Sequence, residues 1–196
     1  MFKYIGVIGR VGLVLLFVLL LACCEEKNTE MVYELKDPDD LSGEVYDVFS
    51  KMINTFYGDQ DYVAVQQETD TTLHRVMCYG LLESDTTSLT DNTLRDYFQN
   101  NQQSKNLGSS FSTLNQVKLI TREEFNSYEN WERFHENYPD SEGMLVLRVP
   151  GFNEDKTQAL YEFSWRSGNE SESEHLLFME YAGGAWHIRA HSAFSN

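Results

Sequence analysis

The C-terminal third of the chain alternates. Ala159, Tyr161, Phe163 and Trp165 interleave with Gln158, Glu162, Ser164 and Arg166, and a period of two marks a strand with one face on a core. Leu177, Met179 and Tyr181 repeat the pattern, Gly183-Gly184 supplies a two-residue hairpin turn, and Trp186, Ile188 and Ala190 resume it beyond the turn. Rows spaced in this way cannot be buried by a helix, so the stretch is committed to antiparallel strands. Strands begin at Met144, and Asn153-Glu154-Asp155-Lys156 provides a further turn. The economical assembly is an α+β fold: an antiparallel C-terminal sheet of about four strands, packed on one face by helices from the N-terminal and middle parts of the chain.

The helices announce themselves by a different period. Leu41, Val45, Val48, Phe49, Met52, Ile53 and Phe56 form one apolar stripe at 3.6-residue spacing, with Ser42 or Asp40 available to cap its start and Gly58 to close it. Thr90-Asp91 ahead of Leu94, Tyr97 and Phe98 reads as a second capped helix. Thr121-Arg-Glu-Glu124 has capping-box spacing, and Phe125, Tyr128, Trp131, Phe134 and Tyr138 then recur every three or four residues, as one helix or two short ones ended by Pro139. Tyr62–Val65 and Val117–Ile120 read as short strands. Leu73–Leu82 is apolar without a clean period.

The amino-terminal end has a third kind of pattern. Lys3 and Arg10 precede an uncharged, Leu- and Val-rich run from Val11 to Ala22, which is too short to span a bilayer comfortably and has the layout of an export signal. Extending the run back through Arg10 would place a guanidinium in hydrocarbon. Leu20-Leu21-Ala22-Cys23 resembles the bacterial lipobox. That resemblance implies cleavage after Ala22 and a diacylglyceryl group on the Cys23 thiol, with two or three acyl chains enough for stable anchoring. Glu25, Glu26 and Glu30 resemble the acidic surface-export signal of Bacteroidetes-type lipoproteins. The organisation expected is a signal peptide at 1–22, a lipidated flexible tether at 23–40 and a single α+β domain at 41–196. The location expected is a cell envelope, at the outer membrane or cell surface rather than the inner membrane.

Without its first 22 residues the chain keeps 13 of its 15 basic residues and all 31 acidic ones, a formal charge of −18. Such a surface repels phosphate backbones, which argues against nucleic acid as a partner and in favour of a basic protein. Cys24 and Cys78 can pair in an oxidising compartment, although their spacing does not demand it, and Cys78 in Val76-Met77-Cys78 reads as a small buried hydrophobe.

Trp131-x-x-Phe134, Tyr138-Pro139-x-Ser141-x-Gly143, Gly151-Phe152-Asn153, Ala159-Leu160 and the closing Gly184-Ala185-Trp186 together resemble a group of bacterial secreted proteins and lipoproteins without an assigned activity. The chain departs from that group at Pro150, and carries Ser167–Glu174 where the group has a glycine- and cysteine-bearing hairpin. The resemblance implies a fold and no mechanism. Read physically, Trp131, Phe134 and Tyr138 supply the aromatic side of a helix–sheet core, Gly143 and Gly151 permit turns or close backbone approach, and Phe152 and Trp186 are structural.

For chemistry the best candidate is His187-x-Arg189-x-His191. On a regular strand these side chains share one face, opposite Trp186 and Ile188, and Glu180 across the hairpin could join His187 and His191 around zinc or copper. Arg189 between the imidazoles would repel a cation. His135, with Glu132 and Glu136 beside it, is not in a zincin motif, His74 and His175 stand alone, and no nucleophile elbow, phosphate loop or dinucleotide fingerprint is present. No cofactor is expected. The sequence therefore reads as a membrane-anchored, non-catalytic binding module for a basic protein, an immunity-type inhibitor being a special case. The alternative is a metal-dependent envelope enzyme using His187 and His191.

Overall fold

In a computed structural model of the chain, the residues described are 32–72, 89–128, 131–168 and 171–195. Cys23 and its lipobox, Cys24, Cys78, His74 and the Leu73–Leu82 stretch lie outside them. Among the described residues no helix is long and apolar enough to cross a membrane.

The apolar stripe folds as helix α1 (Gly43–Phe56), burying Val45, Val48, Phe49, Met52 and Ile53. Its face is set against the sheet and tied sideways to the loop before β2: the Ser112 amide donates to Ser50 Oγ at 2.8 Å, and the Gly108 amide to the Tyr46 hydroxyl at 2.7 Å. Helix α2 (Asp91–Asn100) is capped by Thr90, whose hydroxyl accepts from the Thr93 amide. Helix α3 (Arg122–Ser127) is capped in the same way by Thr121, but Glu124 does not reach back to complete a capping box. It accepts instead from the hydroxyls of Tyr128 and Tyr138, at 2.9 and 2.6 Å. Those bonds clamp α3 to helix α4 (Trp131–Asn137), so the aromatic run forms two short helices.

The sheet is larger than the four antiparallel strands expected. Seven strands, β1 (Tyr62–Gln66), β2 (Gln116–Ile120), β3 (Met144–Leu147), β4 (Gly151–Phe152), β5 (Gln158–Gly168), β6 (Ser171–Ala182) and β7 (Ala185–Ser195), join in the order β2-β1-β3-β5-β6-β7, with β4 on β5. It is also mixed: β1 pairs in parallel with β2 and with β3, whereas β3–β5, β5–β6 and β6–β7 are antiparallel. Strands β1 and β3 are buried along their whole length, as expected where helices cover both faces of parallel strands. That is a second difference from expectation. Helix α1 covers one face, through Val63, Val65, Leu145, Leu147, Tyr161, Phe163, Leu177 and Met179. On the other, α3 and α4 pack Phe134 against Ala64, Met144 and Val146, while α2 packs Tyr97 against Leu160 and Leu176.

Two glycine positions fix the strand geometry. Gly183 and Gly184 both have positive φ, 61° and 86°, the requirement of the hairpin turn that matches strand twist. At Gly151 an added Cβ would lie 2.1 Å from the Tyr97 amide nitrogen, so the bare backbone is what lets α2 lie on β4. Asn101 at the end of α2 locks the same junction, exchanging hydrogen bonds of 2.8 and 2.7 Å with the amide and carbonyl of Val149. Pro150 accepts from Asn100 Nδ2 at 3.0 Å and separates β3 from β4.

Residues ahead of 41 are fastened to the domain. Lys36 exchanges backbone bonds with the Gln67 side chain at 2.9 and 2.7 Å, while the Asp39 amide donates to the Asn106 carbonyl and the Asn106 amide donates to Asp39 Oδ2.

Candidate functional site

Two clusters of ionisable side chains stand out, one on each face of the sheet. On the α2 face, the β3 alternation that buries Met144 and Val146 runs on to Arg148, whose side chain is completely buried. Its Nε donates to the Thr72 carbonyl at 2.6 Å, Nη2 to Asp70 at 2.9 Å and Nη1 to Glu174 at 3.0 Å, with Glu162 3.7 Å away. Tyr97 donates to Glu162 at 2.5 Å and Ser164 to Glu174 at 2.8 Å. Burial works against the guanidinium's charge, but Glu162 and Glu174 outweigh it and its pKa is raised. A fixed cation enclosed by carboxylates cannot exchange protons near neutral pH and has no open coordination position. Its chemistry is structural: it holds Asp70 and Thr72, which follow β1, against β3, β5 and β6.

The second cluster is on the α1 face. His175 Nδ1 lies 3.0 Å from His191 Nε2, and His175 Nε2 lies 2.9 Å from Ser173 Oγ. The His175 ring stacks on Phe163 at 4.6 Å with 3° between planes, and Phe56 at the end of α1 meets the His191 ring edge-on at 5.0 Å. Burial, then the charge of His191, pulls the His175 pKa down to about 4, and burial lowers that of His191. Both rings are therefore neutral at pH 7. One N–H then lies between the two imidazoles, and a second proton between His175 and Ser173.

A β-bulge creates this pair. From the Gly183-Gly184 turn the register runs regularly to Met179↔Ile188, then shifts so that Phe178 faces Ala190 and Leu177 faces His191. Arg189 is the extra residue. Unshifted pairing would set His191 opposite Leu176, on the other face from His175. The common face expected for His187, Arg189 and His191 is accordingly not formed. His187 stays with Glu180 on the α2 face and bonds the Ala182 carbonyl at 3.1 Å. Glu180 is engaged by Arg189 at 2.8 Å, and His191 crosses to the face of Trp186 and Ile188. In the sequence His175 stands alone, and no local pattern marks Ser173 or Arg148. Pairing outward from the glycine turn gives their neighbourhood but not the one-residue shift. Among the described residues no three His, Cys, Asp or Glu side chains converge to hold a metal ion.

The structural positions are simpler. Phe134 is fully buried, Trp131 and Tyr138 pack around it, Trp186 is buried against Phe152 at 5.8 Å, and Gly143 backs onto Trp165. His135 lies against Trp131 and Phe134.

Ser173, His175 and His191 have the spacing of a nucleophile, a base and an orienting group. Two features argue against acyl transfer. Ser173 lies inside a regular strand, paired with both Trp165 and Ser195, so no sharp turn presents its hydroxyl. A base as weak as His175 also takes a hydroxyl proton poorly. No protein-family model, curated protein or solved structure matches the chain.

Proposed function

We propose that the domain is a non-catalytic binding module, held at the surface of a bacterial envelope by acyl chains on Cys23, that takes a basic protein partner along the free edge of β7. The observation that carries this reading is the edge itself. Strand β7 is 11 residues long, ends the sheet order among the described residues, and pairs there only with β6. An edge strand offers a row of backbone donors and acceptors to an incoming extended segment. The Arg189 bulge interrupts the row, leaving Ala190–Ser195 as its longer regular part. Phe194 and Tyr181, each 45% exposed, flank the hairpin as apolar anchors. The strongly acidic surface favours a basic partner and speeds its encounter. An inhibitor of a cationic toxin is one protein that would fit. The metal-enzyme alternative loses its support, because His187 and His191 point to opposite faces.

A photo-crosslinking residue at Ala193 in the native host, compared with one at Glu132 on α4, tests the reading. Adducts with a basic protein from position 193 alone are expected. No adduct, or the same adduct from both positions, would contradict it.

A further inference from the structure

We propose that His175 Nδ1 and His191 Nε2 form a two-nitrogen binding site for copper(II), with water completing the coordination. The site lies on the α1 face of the β6–β7 hairpin. His191 stands within the stretch of β7 offered to a protein partner, but its ring lies on the α1 face beside His175 rather than along the backbone edge, and nothing in that reading requires the site.

The spacing of the nitrogens makes the case. Zinc–imidazole bonds are about 2.0–2.1 Å and copper(II)–imidazole bonds are of similar length, so two nitrogens 3.0 Å apart subtend an angle of about 95° at a shared ion. That is close to the cis angle of a square-planar centre, the geometry copper(II) favours, and narrower than the tetrahedral angle zinc prefers. The ion takes the place of the proton between the two rings, which relocates through solvent to Nδ1 of His191, so both ligands stay neutral imidazoles and no net proton is released. Each ring turns to bring its lone pair off the N–N line toward the ion.

The surroundings are suited to the exchange. Ser173 can accept the N–H on His175 Nε2, which leaves Nδ1 as the lone-pair nitrogen, and an orienting hydrogen bond of this kind commonly tunes an imidazole ligand. Phe163 and Phe56 fix the two rings from below and from the side. His191 keeps an exposed edge through which an aqueous ion can enter. The domain's negative charge concentrates cations near it. Both histidines stand on long paired strands, so the pair is assembled before any ion arrives.

The test is a titration of the untagged, full-length mature protein in detergent with copper(II) sulfate, followed by electron paramagnetic resonance. One axial copper signal per chain is expected, with superhyperfine structure from two nitrogens. His191→Ala, at an exposed position that the fold can spare, should weaken binding at least about tenfold with an unchanged circular dichroism spectrum. Ser173→Ala should weaken it less, and His187→Ala, on the opposite face, should leave it unaltered. Copper bound equally well by the His191→Ala protein, a signal without two nitrogens, or dependence on His187 would each overturn the proposal.

Discussion

His175 and His191 are 16 residues apart in the chain, yet their nearest ring nitrogens lie 3.0 Å apart because Arg189 bulges out of β7. One extra residue thus decides which face of the sheet a histidine occupies. Deleting Arg189 should restore regular pairing with His191 still opposite Leu177. The loss is confined to the exposed Arg189–Glu180 ion pair, worth about 0–1 kcal/mol. Deleting Ser192 instead removes a paired residue and should cost several times more. Urea denaturation of the two deletions distinguishes them, and equal losses would mean the bulge is not the spare residue.

The same pair makes stability pH-dependent. With its folded pKa near 4 against an ordinary value of about 6.5, His175 binds fewer protons folded than unfolded. Its contribution is complete above about pH 6.5 and falls as pH drops toward 4. His191 shifts in the same direction. The facing groups are Ser173, His191, Phe56 and Phe163, with the nearby charge of Glu174 opposing the shift slightly. Since the ring is only half-buried, the difference between wild type and His175→Phe across that window should be on the order of 1 kcal/mol after solvent screening. Metal-free protein in chelator is the sample, and parallel pH profiles would refute the assignment.

Arg148 is the most demanding residue of the core. Arg148→Met leaves Glu162 and Glu174 buried without their cation, and should destabilise by about 3–5 kcal/mol. Tyr97→Phe removes a bond to a buried carboxylate and should cost about 1.5–3 kcal/mol. The two losses should be non-additive in a double-mutant cycle, since both act on Glu162. Additive effects would separate the residues into independent sites.

Backbone contact at Gly151 gives a sharper contrast. An added methyl meets the Tyr97 backbone at 2.1 Å, whereas at Gly43 it meets nothing within 4 Å. Gly151→Ala should lower stability by at least about 1–3 kcal/mol through displacement of α2. Gly43→Ala, in the first turn of α1, should be neutral or stabilising by a few tenths of a kcal/mol. Thermal melts of both variants suffice, and a neutral Gly151→Ala would contradict the close approach.

Elements governed by local periodicity were legible in the sequence. The α1 stripe, the Thr90 and Thr121 caps and the Gly183-Gly184 hairpin are each written in a window of a dozen residues. What stayed hidden is non-local. Tyr62–Val65 and Met144–Leu147 are apolar at every position, so neither says which strand it joins or in which direction, and their parallel pairing depends on crossovers that no local pattern records. Helices on both faces follow from that pairing. Arg148 lies in register with Met144 and Val146, but only the folded sheet shows that it is buried with Glu162 and Glu174. The Arg189 bulge has no marker such as glycine, and regular alternation put His191 on the wrong face.

The proposed binding role requires acyl chains on Cys23, rather than a protein helix, to hold the domain at the envelope. Intact mass of the protein extracted from native membranes tests this most directly. The expected result is a chain beginning at Cys23, heavier than residues 23–196 alone by a glycerol group and two or three fatty acyl chains. A free Cys23 thiol, or residues 1–22 still attached, would contradict it.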